Sequence, residues 1–279
     1  MKTVFTLKPA ESKSLIAKAV VSMEEVKKAK ESAYIILAGG TTNAYIAREL
    51  LGGEGIDPSK CTVGTSSNGV VCVSSPGARE IFPNVIFKGK PSEKTITEAF
   101  EDFNAGTVVI KGANAVDREK NVGVITAGFD GGTVPKIIGP VTSNGLKLIT
   151  PVGLEKLVPS VREACRAVGA RRIDISMGAD FGMYHIATST VVTEIEAIEL
   201  LFGLKAVHVA SGGVGGNEGA VVLAADGDAE SVERLVDFIE NTIKGEPPVK
   251  PNKGICETCR YRRCRYCGRK TEELPEWLR

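Results

Sequence analysis

Residues 33–53, "AYIILAGGTTNAYIARELLGG", decide how this chain folds. An apolar, β-prone run from Tyr34 to Ala38 stops at Gly39 and Gly40, passes Thr41, Thr42 and Asn43, and becomes a helical pattern that ends at Gly52. Strand, tight glycine turn and helix in that order bring backbone N–H groups and a helix N-terminus to one spot, where partial positive charge collects. Glycine lets a ligand approach the backbone closely and the two hydroxyls add donors. Gly39, Gly40, Thr41, Thr42 and Asn43 are therefore candidates to hold a phosphate or carboxylate. A purely structural turn with a threonine cap has the same letters, and the residues alone leave both readings open.

Upstream, "ESKSLIAKAVVSMEEVKKAKES" (11–32) predicts one amphipathic helix with Leu15, Ile16, Val20 and Val21 as its apolar stripe. Downstream, strands are predicted at "TVGTSSNGVVCVSS", "NVIFKGK", "GTVVIKGA", "VGVITAG" and "LKLITPVG", with helices at "TITEAFEDF", "VPKIIGPVTSNG" and "LVPSVREACRAVG". This alternation implies an α/β fold over residues 1–170: an open, mainly parallel sheet with helices on both faces. From 171 to 247 the order reads strand ("YHIATSTVV"), helix, strand, strand, helix, a small α+β unit of the split-βαβ kind that could act as a lid. "SGGVGGNEG" is its glycine-rich hairpin or lid edge. "EPPVKPNKG" is a linker into a tail spanning 248–279.

A second glycine loop follows from "VVIKGANAVDREKNVGVITAGFDGGTV". One strand reaches Lys111 and Gly112, with Asn114 and Asp117 in the turn; another leads to Phe129, Asp130, Gly131, Gly132 and Thr133. Strand ends in such sheets converge on a ligand crevice, so both loops are expected to face one small anionic metabolite. Lys111, Asp117, Asp130 and Lys136 are the candidate acid, base or electrostatic groups, and Asn114, Gly131, Gly132 and Thr133 join the ligand-binding set. Asp and Asn also satisfy turn amides in ordinary loops, which is the competing role for Asp117 and Asn114.

At these residues the sequence resembles the superfamily that contains ribose-5-phosphate isomerase, glucosamine-6-phosphate deaminase and the CoA transferases, over roughly residues 30–160. "LAGGTTNAYIARELLG" looks like the isomerase phosphate loop, "KGANAVDREKNV" sits where that family has a Gly-Ala-Asp-Glu-Val-Asp turn, and "AGFDGGTV" where it has a lysine before a glycine run. The resemblance implies a phosphate-binding α/β core and isomerase-like chemistry. Departures put the reaction in doubt. Asn114 replaces the first turn aspartate, Phe129-Asp130 replaces the lysine, and "TVPKIIGP" lacks the glutamate that would serve as general base.

Composition sets outer limits. With 279 residues, 43% hydrophobic and 25% charged, the chain has the make-up of a globular protein with a large core. No apolar run approaches the ~20 residues a membrane helix needs, and the charged N-terminal stretch lacks a signal-peptide pattern, so a cytoplasmic address without a membrane partner is expected. His185 and His208 are expected on strands of the second unit, as neighbours or along one face; Asp174, Ser176 and Asp180 are placed at a cleft between units. Cys61, Cys72 and Cys165 read as small buried hydrophobes.

The tail stands apart. Cys256, Cys259, Cys264 and Cys267 form C-x2-C-x4-C-x2-C, two thiol pairs that can each turn toward one point. Zinc is the expected cofactor of this compact knuckle, with an iron–sulfur cluster as the alternative. Residues 250–279 carry nine Lys/Arg against four Asp/Glu; within a total of +1 that surplus of five leaves the rest at −4. The cations could contact nucleic-acid phosphates, with Tyr261 and Tyr266 for stacking, or dock on the acidic body, with "LPEWLR" as an apolar anchor. Three functional readings follow: a metabolite-binding protein of divergent sugar-phosphate isomerase or deaminase type, a non-catalytic sensor or nucleic-acid-binding regulator, and an iron–sulfur redox or sulfur-transfer protein. A homo-oligomer is the usual expectation for such folds.

Overall fold

The structure, a computed structural model, describes residues 1–279 apart from 54, 81 and 129, and apart from the side chain of 76. Strand β1 (Lys2–Leu7) leads into helices α1 (Pro9–Ser22) and α2 (Glu24–Ser32), then β2 (Tyr34–Leu37) and α3 (Thr41–Leu51). Next come β3 (Gly64–Ser67), β4 (Val70–Val73), β5 (Val85–Phe87), β6 (Lys90–Pro91), α4 (Ile96–Ala99), β7 (Val108–Ile110), β8 (Ala115–Val116), β9 (Val122–Thr126) and α5 (Thr133–Asn144). The chain continues through β10 (Lys147–Pro151), α6 (Val161–Ala167), β11 (Gly182–Ile186), β12 (Thr190–Val192), α7 (Glu194–Phe202), β13 (Lys205–Ser211), β14 (Val221–Asp226) and α8 (Ala229–Phe238).

Six strands form the central sheet in the order β12-β10-β7-β2-β5-β6. The first four run parallel, with Ile35 against Val108, Ile110 against Ile149 and Pro151 against Val192; β5 and β6 close the other edge antiparallel. Because strand side chains alternate, Ile35, Leu37, Ile110 and Ile149 face one side, where they meet Leu15 and Ile16 of α1, Ile46 of α3 and Ile198 of α7. Tyr34, Ile36, Val109 and Leu148 face the other and pack on Val134, Ile137 and Val141 of α5. Helices thus cover both faces of a mainly parallel sheet. Among the described residues no helix is long and apolar enough to cross a membrane.

Several boundaries differ from the sequence expectation. The helix expected over 11–32 breaks at Met23, whose extended backbone (φ −62°, ψ 138°) lets α2 turn away. Helix α1 is covered almost all round, Glu11, Ser12 and Lys13 included, because α3 and α7 flank it. "YHIATSTVV" is two strands in two sheets: β11 pairs antiparallel with β9, while β12 joins the central sheet. The division at residue 170 does not follow the pairing either. β1, from the N-terminus, pairs with β14 in the small antiparallel sheet β1-β14-β13, and Leu7, Val221 and Leu223 share the core under α1. His185 lies on β11 and His208 on β13, in different sheets, so they are not neighbours.

The tail is docked on the β3–β4 hairpin through a separate small core of Val70, Tyr266, Leu274 and Leu278, against which Cys72, Cys256 and Cys264 pack. Trp277 stands edge-on to Tyr266 at 5.8 Å. Segment 176–179 is wedged between hairpin and tail: Ala179 N–H donates to Val71 O (2.7 Å), Ser176 N–H to Arg263 O (3.0 Å) and Arg265 N–H to Ser176 O (2.9 Å). Gly178 makes this approach possible, since its φ is +132° and a Cβ there would stand 2.3 Å from Val71 O. Ser176 therefore meets the tail, not a cleft between two units.

One side chain ties the middle of the sheet. Asn43, fully buried, donates through Nδ2 to Ala38 O (2.6 Å) and Ile110 O (3.1 Å), joining the ends of β2 and β7. Asn43→Ala leaves these two acceptors without that donor and is expected to lower stability by about 1–3 kcal/mol in urea unfolding; an unchanged midpoint would show that the tie is dispensable.

Candidate functional site at the carboxyl edge

Parallel pairing puts the carboxyl ends of β2, β7, β10 and β12 along one edge, and polar groups follow each strand within a few residues. After β2 come Gly39 and Gly40, whose φ of 150° swings the chain into α3; Gly40 N–H is taken by Cys61 O (3.0 Å). α3 has no side-chain cap, and among the described residues the amides of Thr41 and Thr42 have no acceptor. Thr42 is buried, Thr41 half-buried, and the buried Asn43 Oδ1 is without a hydrogen-bond partner. A Cβ on Gly112 would lie 3.9 Å from that oxygen, so the start of α3 and the end of β7 are in contact.

After β7 comes Lys111, whose ammonium among the described residues reaches only Gly112 O (3.2 Å). Burial, helped by the nearby Lys156 charge, brings its pKa down to about 8. After β10 come Glu155 and Lys156. Glu155 Oε1 takes Lys13 Nζ of α1 at 3.3 Å and Lys156 Nζ at 3.1 Å. Burial opposes ionisation of Glu155, yet the two ammoniums prevail and hold it down to about 2. Its carboxylate folds back over Gly153, where a Cβ would stand 1.8 Å from Oε2. After β12 comes Glu194, 0% exposed, with Oε2 accepting from Leu154 N–H (2.9 Å) and Oε1 without a partner. Burial and then the neighbouring Glu155 charge push Glu194 up to about 7. Lys13, 8% exposed, is lowered by the same burial. The result is a row of acids and amines along one sheet edge, two of which ionise near neutrality, a property concentrated at functional sites.

The structure places Gly39, Gly40, Thr41, Thr42, Asn43 and Lys111 at the ends of neighbouring strands, while the other predicted residues are engaged elsewhere. Asp117 is consumed by backbone: its oxygens accept from Glu119 N (3.1 Å), Asn121 N (3.0 Å) and Val161 N (3.0 Å), so it staples its turn to the start of α6. Asn114 Oδ1 accepts from Ile125 N of β9 (2.9 Å), and Asp130 Oδ1 from Gly132 N (2.9 Å) within its own turn. Asp130 and Lys136 are exposed. Gly131, Gly132 and Thr133 open α5 on the face opposite α3, and among the described residues no hydrogen bond joins the two glycine loops; Phe129 lies outside the described residues. His185 Nε2 pairs with Asn121 Oδ1 (3.0 Å) and His208 Nε2 with Ser211 Oγ (2.7 Å).

Lys13, Glu155, Lys156 and Glu194 were missed. Lys13 looks like the polar face of a surface helix, and Glu194 like an ordinary first-turn acid beside the Thr193–Glu196 capping box. The available signal was position: Glu155-Lys156 and Glu194 stand two to four residues beyond predicted strands of one parallel sheet.

In the tail, Tyr261 N–H points at Cys259 Sγ (3.5 Å), Tyr266 N–H at Cys264 Sγ (3.4 Å), and Gly268 N–H joins the two pairs through Cys256 O (2.8 Å). All seven cysteines are free thiols. Among the described residues no three His, Cys, Asp or Glu side chains stand in an arrangement that could hold a metal ion.

Among solved structures the chain is similar to a D-ribose-5-phosphate isomerase in complex with phospho-erythronic acid, at 18% identity over 82% of this chain and 86% of that one, with a TM-score of 0.28. No protein-family model and no curated protein matches it. A superposition this loose carries no chemistry across, so function is argued from this chain's own residues.

Glu194 gives a test of the site's electrostatics. Its folded pKa lies above the unfolded value of 4.5, so its contribution is fully present below 4.5 and is lost as pH rises through about 7. Urea unfolding across that window should show a loss of up to about 3 kcal/mol that Glu194→Gln abolishes. Equal slopes in both proteins would mean that Glu194 titrates normally.

Proposed function

We propose that the carboxyl edge binds a small phosphorylated or carboxylated metabolite, with the first amides of α3 and the Thr41 hydroxyl on the anion and the Lys111 ammonium beside it. The observation that carries this is the pairing of an uncapped helix start with a half-buried amine on the adjacent strand end, joined through Asn43. An anion there supplies the counter-charge Lys111 lacks. The reading favours proton transfer as the chemistry, in the manner of a divergent sugar-phosphate isomerase or deaminase: an amine ionising near 8 can take up and return a proton at neutral pH. In this reading Lys111 is the acid–base group, and its partial burial together with the Lys156 charge sets its protonation. Asp117 and Asp130 are left with turn roles, and the second glycine loop is not required for the anion.

Thermal unfolding with inorganic phosphate, sugar phosphates and carboxylates tests the proposal. At least one anion should raise the midpoint of the native chain, and Lys111→Ala and Thr41→Val should each abolish that rise. Stabilisation by none of them, or stabilisation that survives both substitutions, ends it.

A second reading concerns the tail, favoured by the two amide–sulfur contacts at Cys259 and Cys264 and by the packing of both C-x2-C loops on one small core. In it Cys256, Cys259, Cys264 and Cys267 take up zinc, whose capture draws the four sulfurs to one point and fixes a segment with little core of its own. Elemental analysis and a visible spectrum of anaerobically purified chain should give one zinc and no visible colour, with both metal and tail stability lost in Cys264→Ser. Iron with sulfide would move the assignment to a cluster, and a metal-free, equally stable chain would remove it.

A further inference from the structure

Nine of the fourteen arginines fall in two segments far apart in sequence, 162–172 and 260–269. The fold brings these segments together. Arg263 Nη1 donates to Ala170 O, and the strand-like pairing of Ser176 with Cys264 holds Arg263 and Arg265 on either side of that contact. Arg172 Nη1 in turn donates to Arg166 O (2.9 Å), which folds the end of α6 onto the 170–172 turn. Arg162, Arg166, Arg171, Arg172, Arg262 and Arg265 are all exposed.

Charge on this surface is uncompensated. Residues 161–180 and 256–270 hold ten Arg/Lys against four Asp/Glu. Among the described residues none of the nine arginines has a carboxylate within ion-pair distance, whereas twelve ion pairs form elsewhere, eleven of them through lysine. The arginines do not dock the tail by charge on an acidic body; backbone pairing and the Tyr266–Leu278 core do that. Apart from Arg263, whose Nη1 is bound to Ala170 O, these arginines are exposed, and a fork of N–H donors matches phosphate oxygens two at a time. Ile175 (72% exposed) and Met177 (58% exposed) stand beside Ser176 in the same patch, apolar surface against which a base could lie.

We infer that this composite face, α6 with the 170–172 turn and the arginines of the tail, binds the phosphate backbone of a nucleic acid. Its novelty over a basic tail is that half of the site belongs to the body, so the tail must be docked for the surface to exist. Binding is independent of the anion site proposed at the sheet edge.

The test is fluorescence anisotropy of the full chain with labelled single-stranded RNA, single-stranded DNA and duplex DNA between about 50 and 200 mM salt. Binding should weaken steeply with salt. Arg171→Ala/Arg172→Ala, in the body, and Arg262→Ala/Arg265→Ala, in the tail, should each reduce affinity about tenfold and lower the salt slope by about 1 per contact removed. Lys27→Ala/Lys28→Ala, on exposed α2, should change neither. The three probes show which polynucleotide is preferred. Absence of binding by all three at the lowest salt overturns the inference, as does loss from the tail pair alone or equal loss from the α2 pair. Circular dichroism of each variant must match the native chain, and Arg171→Lys/Arg172→Lys, which keeps the charge but not the fork, must bind more tightly than Arg171→Ala/Arg172→Ala.

Discussion

Everything at the candidate site depends on four strands being parallel. A parallel ladder sends every strand end to one edge, so residues 39–43, 111, 155–156 and 194, remote in sequence, become consecutive along a line. Asn43 fixes the spacing of the first two, and α1 roofs the others with Lys13. Burial then does the chemical work. The same amine and carboxyl on a surface would titrate near their ordinary values; at this edge their pKa values are driven toward each other, Lys111 downward and Glu194 upward.

The glycine turn of residues 39–43 was readable because its physics is local: a strand cannot become a helix at that point without the backbone freedom of Gly40. Sheet class followed from strand–helix alternation. Pairing partners were not local. Nothing in "KTVFTL" announces that β1 will lie against β14, some two hundred residues on, and nothing in "TSTVV" announces that it leaves its neighbour β11 for the central sheet. The carboxylates were misjudged for a related reason. Asp117 and Asp130 sit in turns that look functional, but the Asp117 oxygens are spent on amides of its own turn and of Val161, and Asp130 Oδ1 on Gly132 N–H. Glu155 and Glu194 sit in plain helix-start contexts, and only tertiary burial makes them unusual.

The tail shows how a short segment without much core can still have a fixed place. Edge hydrogen bonds to 176–179, the small aromatic–leucine core and close glycine contacts hold it on the β3–β4 hairpin. Holding it there costs the molecule an accumulation of like charge beside α6, a repulsion that an isolated chain tolerates in water and that a polyanion would relieve. The two proposals thus rest on chemically different surfaces of one chain, one of amides and a half-buried amine, the other of exposed guanidinium groups.

The most direct measurement is an NMR titration of the full chain with inorganic phosphate, following the Lys111 side chain against pH and the backbone amides of residues 40–43 and 112. The account predicts a Lys111 pKa near 8 in the free chain that rises when phosphate is added, with amide shifts concentrated at the start of α3. A Lys111 that titrates near 10.5 and amides indifferent to phosphate would contradict it.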